Sequence, residues 1–205
     1  GCGTYILYKN EVLFSQTVPF EIGNELLSDL EKYNIEWLLE GEKTLYYRNK
    51  PYITHIGDFK DEQKYLYPSA YKELEPSKAS DLVFDKFCIG IHKNSDFKSF
   101  EAKYSKIFTI IDRGNNFYEI VPANCSKATG MEFLMKHFNV DKKDTIAIGD
   151  STNDLTMLEF AGTSIAMKHS SPIVLEKADY VTDDVFDDGI YLSLIHISEP
   201  TRRSY

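Results

Sequence analysis

Cysteine is scarce in this sequence and badly placed for pairing. Of 205 residues, only Cys2, Cys88 and Cys125 carry a thiol. They are odd in number, far apart and outside any CxxC. That argues against a disulfide framework or a thiolate zinc site, and points to a reducing, cytoplasmic setting. A surplus of positive charge is also missing. Twenty-three Lys and Arg stand against 32 Asp and Glu, for a formal net charge of −9. This is the wrong sign for a general grip on nucleic acid or on anionic membranes. No apolar run approaches the length of a membrane span, and no signal peptide opens the chain. Nor is there an initiating methionine. The chain begins GCGTYILY and passes at once into a predicted strand, so an N-terminal truncation is expected.

What the sequence does have is two different hydrophobic patterns in succession. Residues 4–8 and 12–14 read as short strands around a Lys9-Asn10 turn, and Pro19 closes this piece. From Glu21, the apolar positions Ile22, Leu26, Leu27 and Leu30 have helical spacing, and Asn34 can end that helix. Residues 35–39 and 44–48 read as a hairpin around Gly41. The stretch 51–80 is polar, aromatic and weakly periodic, and yields little beyond loops and a short helix. A strand over 83–92, a helix over 96–104 and a hairpin of 107–111 with 117–121 follow, the last turning at Gly114-Asn115-Asn116.

After Pro122 the pattern changes. Met131, Leu134, Met135 and Phe138 mark an amphipathic helix. Residues 145–148 form a buried strand and 155–160 a helix capped by Gly162. Strand 164–167, helix 172–178 and strand 180–182 complete the run. Helices alternating with short apolar strands specify a parallel α/β sheet. The tail from about Ser193, SLIHISEPTRRSY, shows no period, and is expected to be disordered or non-native and to carry no function.

The chemistry concentrates in TIAIGDSTNDLTM, residues 145–157. Gly149 and Asp150 fall where a buried strand ends, and Ser151, Thr152 and Asn153 are good N-cap residues for the next helix. Ligands of open parallel sheets bind outside the carboxyl ends of the strands. Asp150 and Asp154 therefore share one loop beside a helix N-terminus, where two carboxylates repel unless a cation or proton is shared. Mg²⁺ is the natural cation for an all-oxygen site that also holds phosphate. The alternative is that both aspartates merely cap the helix. Lys127, in ANCSKATG, stands just before the amphipathic helix, where an ammonium can neutralise a phosphoryl group. Taken alone, it reads as a solvated surface lysine.

SKATGMEFL, IAIGDSTNDLTMLEFAG, SIAM, EKADYVT and DDGI occur in that order. Together they resemble the C-terminal signature of Cof-type (class IIB) phosphatases of the haloacid dehalogenase (HAD) superfamily. The resemblance implies an α/β fold, a partial Rossmann-like parallel-sheet core carrying an inserted mixed α/β cap. It divides the chain into a core remnant over 1–18, a substrate-selecting cap over 19–121, the C-terminal half of the core over 122–192 and the tail over 193–205. It also implies Mg²⁺-dependent hydrolysis of a small phosphorylated metabolite (a sugar, nucleotide or cofactor phosphate) through an aspartyl-phosphate. Lys127 would steady the nucleophile and the phosphoryl charge, Asp150 would bind Mg²⁺, Asn153 would touch phosphate and Asp154 would support metal and loop. The family's nucleophile lies in DxDGT or DxDGV near the N-terminus. This sequence contains neither, and Asp183-Asp184 and Asp187-Asp188 come too late in the chain to serve. The segment bearing the motif is expected upstream of Gly1, and the chain by itself is expected to be inactive. His169 stands where the family usually has a small residue or Asn.

Two other readings compete. One is a non-catalytic binding or regulatory module of the same fold. The other takes Gly149-Asp150-Ser151 as the motif of a serine esterase with Ser151 as nucleophile. Such enzymes need a histidine partner, usually in a late DxxH. None of His55, His92, His137, His169 and His196 has Asp three residues before it.

Overall fold

The computed structural model describes residues 2–48, 50–74 and 82–198. The chain divides between Cys125 and Ser126 into two compact units. No helix among the described residues is long and apolar enough to cross a membrane.

The first unit opens with a hairpin of β1 (Tyr5–Tyr8) and β2 (Glu11–Ser15). Lys9 and Asn10 both have positive φ, the conformation that matches a two-residue turn to the twist of its strands. Helix α1 (Phe20–Lys32) follows Pro19 and ends at Asn34, whose φ of 55° is left-handed. Six strands then build one sheet: β3 (Glu36–Glu40), β4 (Leu45–Arg48), β5 (Tyr71–Leu74), β6 (Lys86–Gly90), β7 (Phe108–Asp112) and β8 (Phe117–Pro122). Their spatial order is β5-β4-β3-β6-β8-β7, antiparallel throughout except for the parallel β4–β5 pair.

Side chains alternate across this sheet as the strand period requires. Trp37, Leu39, Phe87, Ile89 and Ile120 pack with Leu26 and Leu30 of α1 and Phe100 and Tyr104 of α3 (Phe97–Tyr104). Leu38 and Cys88 pack instead with Ile56, the first residue of α2 (Ile56–Leu66).

Two charged clusters accompany the sheet. Glu36 is fully buried, and its carboxylate accepts bonds from Arg48 Nη2 at 2.6 Å, Ile53 N at 2.8 Å, and the backbone and hydroxyl of Thr54. Lys86 Nζ donates to Glu40 at 2.9 Å and Glu119 at 2.8 Å, and Arg113 also reaches Glu119 at 3.0 Å. Burial alone would raise the Glu119 carboxyl. The adjacent Lys86 charge, the hydrogen bonds from Cys2 and Lys86 and the Arg113 charge together outweigh burial and bring it down to about 2.

Residues 2–18 belong to this same unit. Thr4 Oγ1 donates to Asp85 at 2.7 Å, Cys2 Sγ to Glu119 at 3.0 Å, and Gln16 and Asn124 exchange amide bonds of 2.9 Å. The compact division thus groups residues 1–18 with the stretch read as cap, where the sequence reading had set them with the core.

The second unit holds β9 (Ile146–Gly149), β10 (Thr163–Met167) and β11 (Tyr180–Thr182), all parallel, in the order β11-β10-β9. Helices α4 (Lys127–Phe138), α5 (Leu155–Phe160), α6 (Pro172–Lys177) and α7 (Gly189–Ser198) connect and flank them. Ala147, Ala166, Leu158 and Val174 form the buried centre. A Cβ on Gly162 would lie 2.2 Å from the Lys142 carbonyl, so only glycine passes there. The expectation that order ends near Ser193 is corrected. Helix α7 runs on to Ser198, and buried Ser193 donates to the Gly189 carbonyl at 2.7 Å. The rest of the expected tail lies outside the described residues.

The Glu36 cluster yields a stability test. Removing one partner of a buried ion pair leaves the other charge uncompensated, at a cost of about 3–5 kcal/mol. Glu36→Ala is expected to lower the unfolding free energy by about 3 kcal/mol in a urea titration; a loss under about 1 kcal/mol contradicts this view of the loop after β4.

Candidate active site

The second unit's sheet ends its parallel strands on one edge, where Gly149, Met167 and Thr182 are the last strand residues. The loop after β9 turns back on itself there. Buried Asp154 is the fixed point of that turn. Its Oδ2 accepts from the backbone N–H of Asp150 at 3.0 Å and of Ser151 at 3.2 Å. Its Oδ1 receives the ammonium of Lys127. Burial pushes the Asp154 carboxyl up. The Lys127 bond and the two backbone donors outweigh it and hold the group below the ordinary aspartate range. Gly149 makes room for this arrangement, since a Cβ there would sit 2.5 Å from Asp154 Cβ.

Lys127 reaches the loop because α4 begins at that residue. Ser126 caps the helix, accepting from Thr129 N at 3.1 Å while its own N–H donates to Thr129 Oγ1 at 2.9 Å. This box fixes where the helix starts and so which residue occupies the first turn.

A cavity of about 530 Å³ opens beside these groups. Lys127, Asp150 and Asp154 line it, with Gly149, His169 and Asp184 among their neighbours. Three of the four sequence-derived site residues therefore meet at one cavity. Asn153 is not among its lining residues; its Oδ1 accepts from Ser151 Oγ at 2.8 Å. The other partner of Ser151 Oγ is Asp154 at 3.5 Å. Neither partner is a histidine, so the geometry gives the serine-esterase reading no base.

Asp184 is the residue that sequence reasoning set aside. It was weighed only as a nucleophile and rejected for coming late in the chain. In the structure its Oδ2 lies 3.1 Å from His169 Nε2, and both line the cavity. The signal was available: DDVFDDG follows the third parallel strand directly, and residues there face the carboxyl edge.

Whether these residues suit a metal can be judged from their chemistry. One ammonium faces the carboxylates of Asp150, Asp154 and Asp184, so with His169 neutral the lining is net negative. A phosphate dianion is repelled by such a wall unless a divalent cation joins it. No three His, Cys, Asp or Glu side chains form a metal cage among the described residues. Mg²⁺ does not require one, since it usually takes one or two carboxylates plus waters and substrate oxygens. Exposed Asp150 is the available carboxylate, because both oxygens of Asp154 are already bonded. The donor set fits a hard cation in an open site.

Comparison with known proteins places the chain in a family. The family of haloacid dehalogenase-like hydrolases matches residues 2–194. The YxeH protein of Bacillus subtilis (strain 168) is 34% identical over 198 residues, covering 92% of this chain and 73% of that protein. YkrA of the same organism is 27% identical over 192 residues, covering 92% and 70%. Both bear phosphatase in their names. Among solved structures, a sugar phosphatase of HAD subclass IIB superposes with a TM-score of 0.76 at 20% identity. That match covers 96% of this chain and 73% of its own, and shows the shared fold.

The Lys127–Asp154 pair makes a pH test. A carboxyl held below its ordinary value of about 3.9 stabilises the fold above that pH and loses the contribution as pH falls through the lowered value. Lys127→Met is expected to be less stable than wild type at about pH 7, with a narrower gap at an acidic pH where Asp154 is protonated. Urea midpoints at both pH values measure it. A gap that stays constant or widens on acidification contradicts the pairing.

Proposed function

The chain belongs to the haloacid dehalogenase-like hydrolases, and from that premise we propose that the complete protein hydrolyses a small phosphomonoester with the help of Mg²⁺. The observation that supports the reading is the meeting of Lys127, Asp150 and Asp154 in one cavity at the carboxyl edge of a parallel sheet.

In this reading, an aspartate oxygen attacks phosphorus and the ester oxygen leaves. A neighbouring carboxyl gives that leaving oxygen its proton, and water then splits the aspartyl-phosphate. Asp150 would hold Mg²⁺, which when bound supplies charge neutralisation for the phosphoryl oxygens. Lys127 places an ammonium at the same point. Asp154 does not meet the substrate. It keeps Lys127 from swinging into solvent and orders the loop that carries Asp150. Asn153, outside the cavity lining, steadies the same loop through Ser151. Residues 19–121 act as the cap that selects the substrate.

The attacking aspartate belongs to a DxDGT or DxDGV segment, and this sequence contains none. That observation also favours a second reading, a non-catalytic module of the same family. Activity separates the two. The 205-residue chain is expected to show no Mg²⁺-dependent hydrolysis of p-nitrophenyl phosphate, since losing a nucleophile costs roughly 10⁶ in rate. The same chain extended through a DxDGT or DxDGV strand is expected to be active, and Asp150→Ala to abolish that activity. Turnover by the 205-residue chain that Asp150→Ala removes contradicts the proposed nucleophile. An extended chain with no activity supports the module.

A further inference from the structure

Two side-chain pairs continue the parallel register of β10 and β11 beyond their ends. Met167 is paired with Thr182 in the ladder. One residue on, Lys168 Nζ lies 3.3 Å from Asp183 Oδ1; two residues on, His169 Nε2 meets Asp184 Oδ2 at 3.1 Å. The first pair is about half exposed on both sides and stands as a solvated surface contact. The second differs in its acidic member: the Asp184 side chain is 20% exposed while His169 is 75% exposed, and both line the cavity that holds Lys127 and Asp150.

Asp184 is held in place independently of the histidine. Its Oδ1 accepts from Phe186 N at 3.1 Å, and its carbonyl accepts from the N–H groups of Asp187 and Gly189. Gly189 is required for that turn, since a Cβ would lie 2.1 Å from the Asp183 carbonyl. Thr182 Oγ1 and Ser193 Oγ both donate to the Gly189 carbonyl. A fixed carboxylate therefore aims its second oxygen at His169.

We propose that His169, oriented by Asp184, is a specificity-determining residue that hydrogen-bonds the organic part of the substrate. A neutral imidazole whose Nε2–H donates to a carboxylate presents Nδ1 as an acceptor. The group it recognises is a hydroxyl donor. Met167, Val185 and Ile190, on the same cavity wall, leave carbon chain rather than further charge as the substrate's other contact. Asp184 is the positioning residue. The inference rests on the reading of the Lys127–Asp150 end as the phosphoryl site.

Calorimetric titration of the 205-residue chain in Mg²⁺ tests it with three probes: inorganic phosphate, ethyl phosphate and sorbitol 6-phosphate. Wild type is expected to prefer sorbitol 6-phosphate over ethyl phosphate by roughly fivefold to tenfold, the worth of one hydrogen bond. His169→Ala is expected to erase that preference while leaving inorganic phosphate binding unchanged. His169→Asn, whose amide oxygen also accepts, should retain part of it, and Asp184→Asn should lose part of it. The preference is a ratio measured on one protein, so incomplete folding of a variant does not distort it. A His169→Ala chain that keeps the preference overturns the proposal, as does one that weakens all three probes alike. If none of the probes binds wild type, the phosphoryl-site reading falls first and takes this inference with it.

Discussion

One ion pair, its carboxylate buried and its ammonium partly exposed, organises the candidate site. Lys127 stands at the start of α4 and Asp154 at the far end of the loop after β9, and their contact ties these two segments together. Its consequences follow in order. Asp154, ionised and oriented, uses its second oxygen to hold the N–H groups of Asp150 and Ser151. The loop between them is thereby closed, and the Asp150 side chain is left directed at solvent and cavity. The glycine at 149 is part of the same constraint, because any side chain there collides with Asp154. Breaking the pair leaves the buried Asp154 carboxylate without its cation, which costs more than the pair itself contributes.

The same electrostatics explains why a cation suits this cavity. Lys127 is largely committed to Asp154, so the positive charge left for a ligand is small. Asp150 and Asp184 remain, and a neutral His169 hydrogen-bonds the latter without cancelling its charge. A divalent ion at Asp150 would reverse the local sign and turn a repelling wall into an attractive one. The two ends of the cavity then divide the work, with charge at Lys127 and Asp150 and a directed hydrogen bond at His169.

The sequence was most informative where local pattern and tertiary role coincide. The helical spacing of α1, the β3–β4 hairpin around Gly41 and the Gly114-Asn115-Asn116 turn each appear as read, because each is decided within a few residues. Strand β5 escaped notice since it lies at the sheet edge, pairs in parallel with β4 and carries little alternation. Helix α7 went unread because the residues after Ser193 lack periodicity, yet Thr182 and the Gly189 turn launch it. Lys127, Asp150 and Asp154 were legible from motif order. Asp184 was not, because its partner His169 lies 15 residues away and is brought near only by the register of β10 on β11. Glu36 and Glu119 were equally hidden: a strand pattern treats Glu as solvent-facing, and only the structure shows the cations and N–H groups that bury them.

The central claim is that the loop after β9, pinned by Lys127, forms a phosphoryl site that works with a divalent cation. Amide NMR of the 205-residue chain, titrated with inorganic phosphate in the presence and absence of Mg²⁺, tests it most directly. The account predicts Mg²⁺-dependent shifts centred on Gly149, Asp150 and Ser151 and extending to Lys127, all lost in Asp150→Ala. Shifts confined to residues away from this loop, or a response at Gly149 to Ser151 that survives Asp150→Ala unchanged, would contradict it.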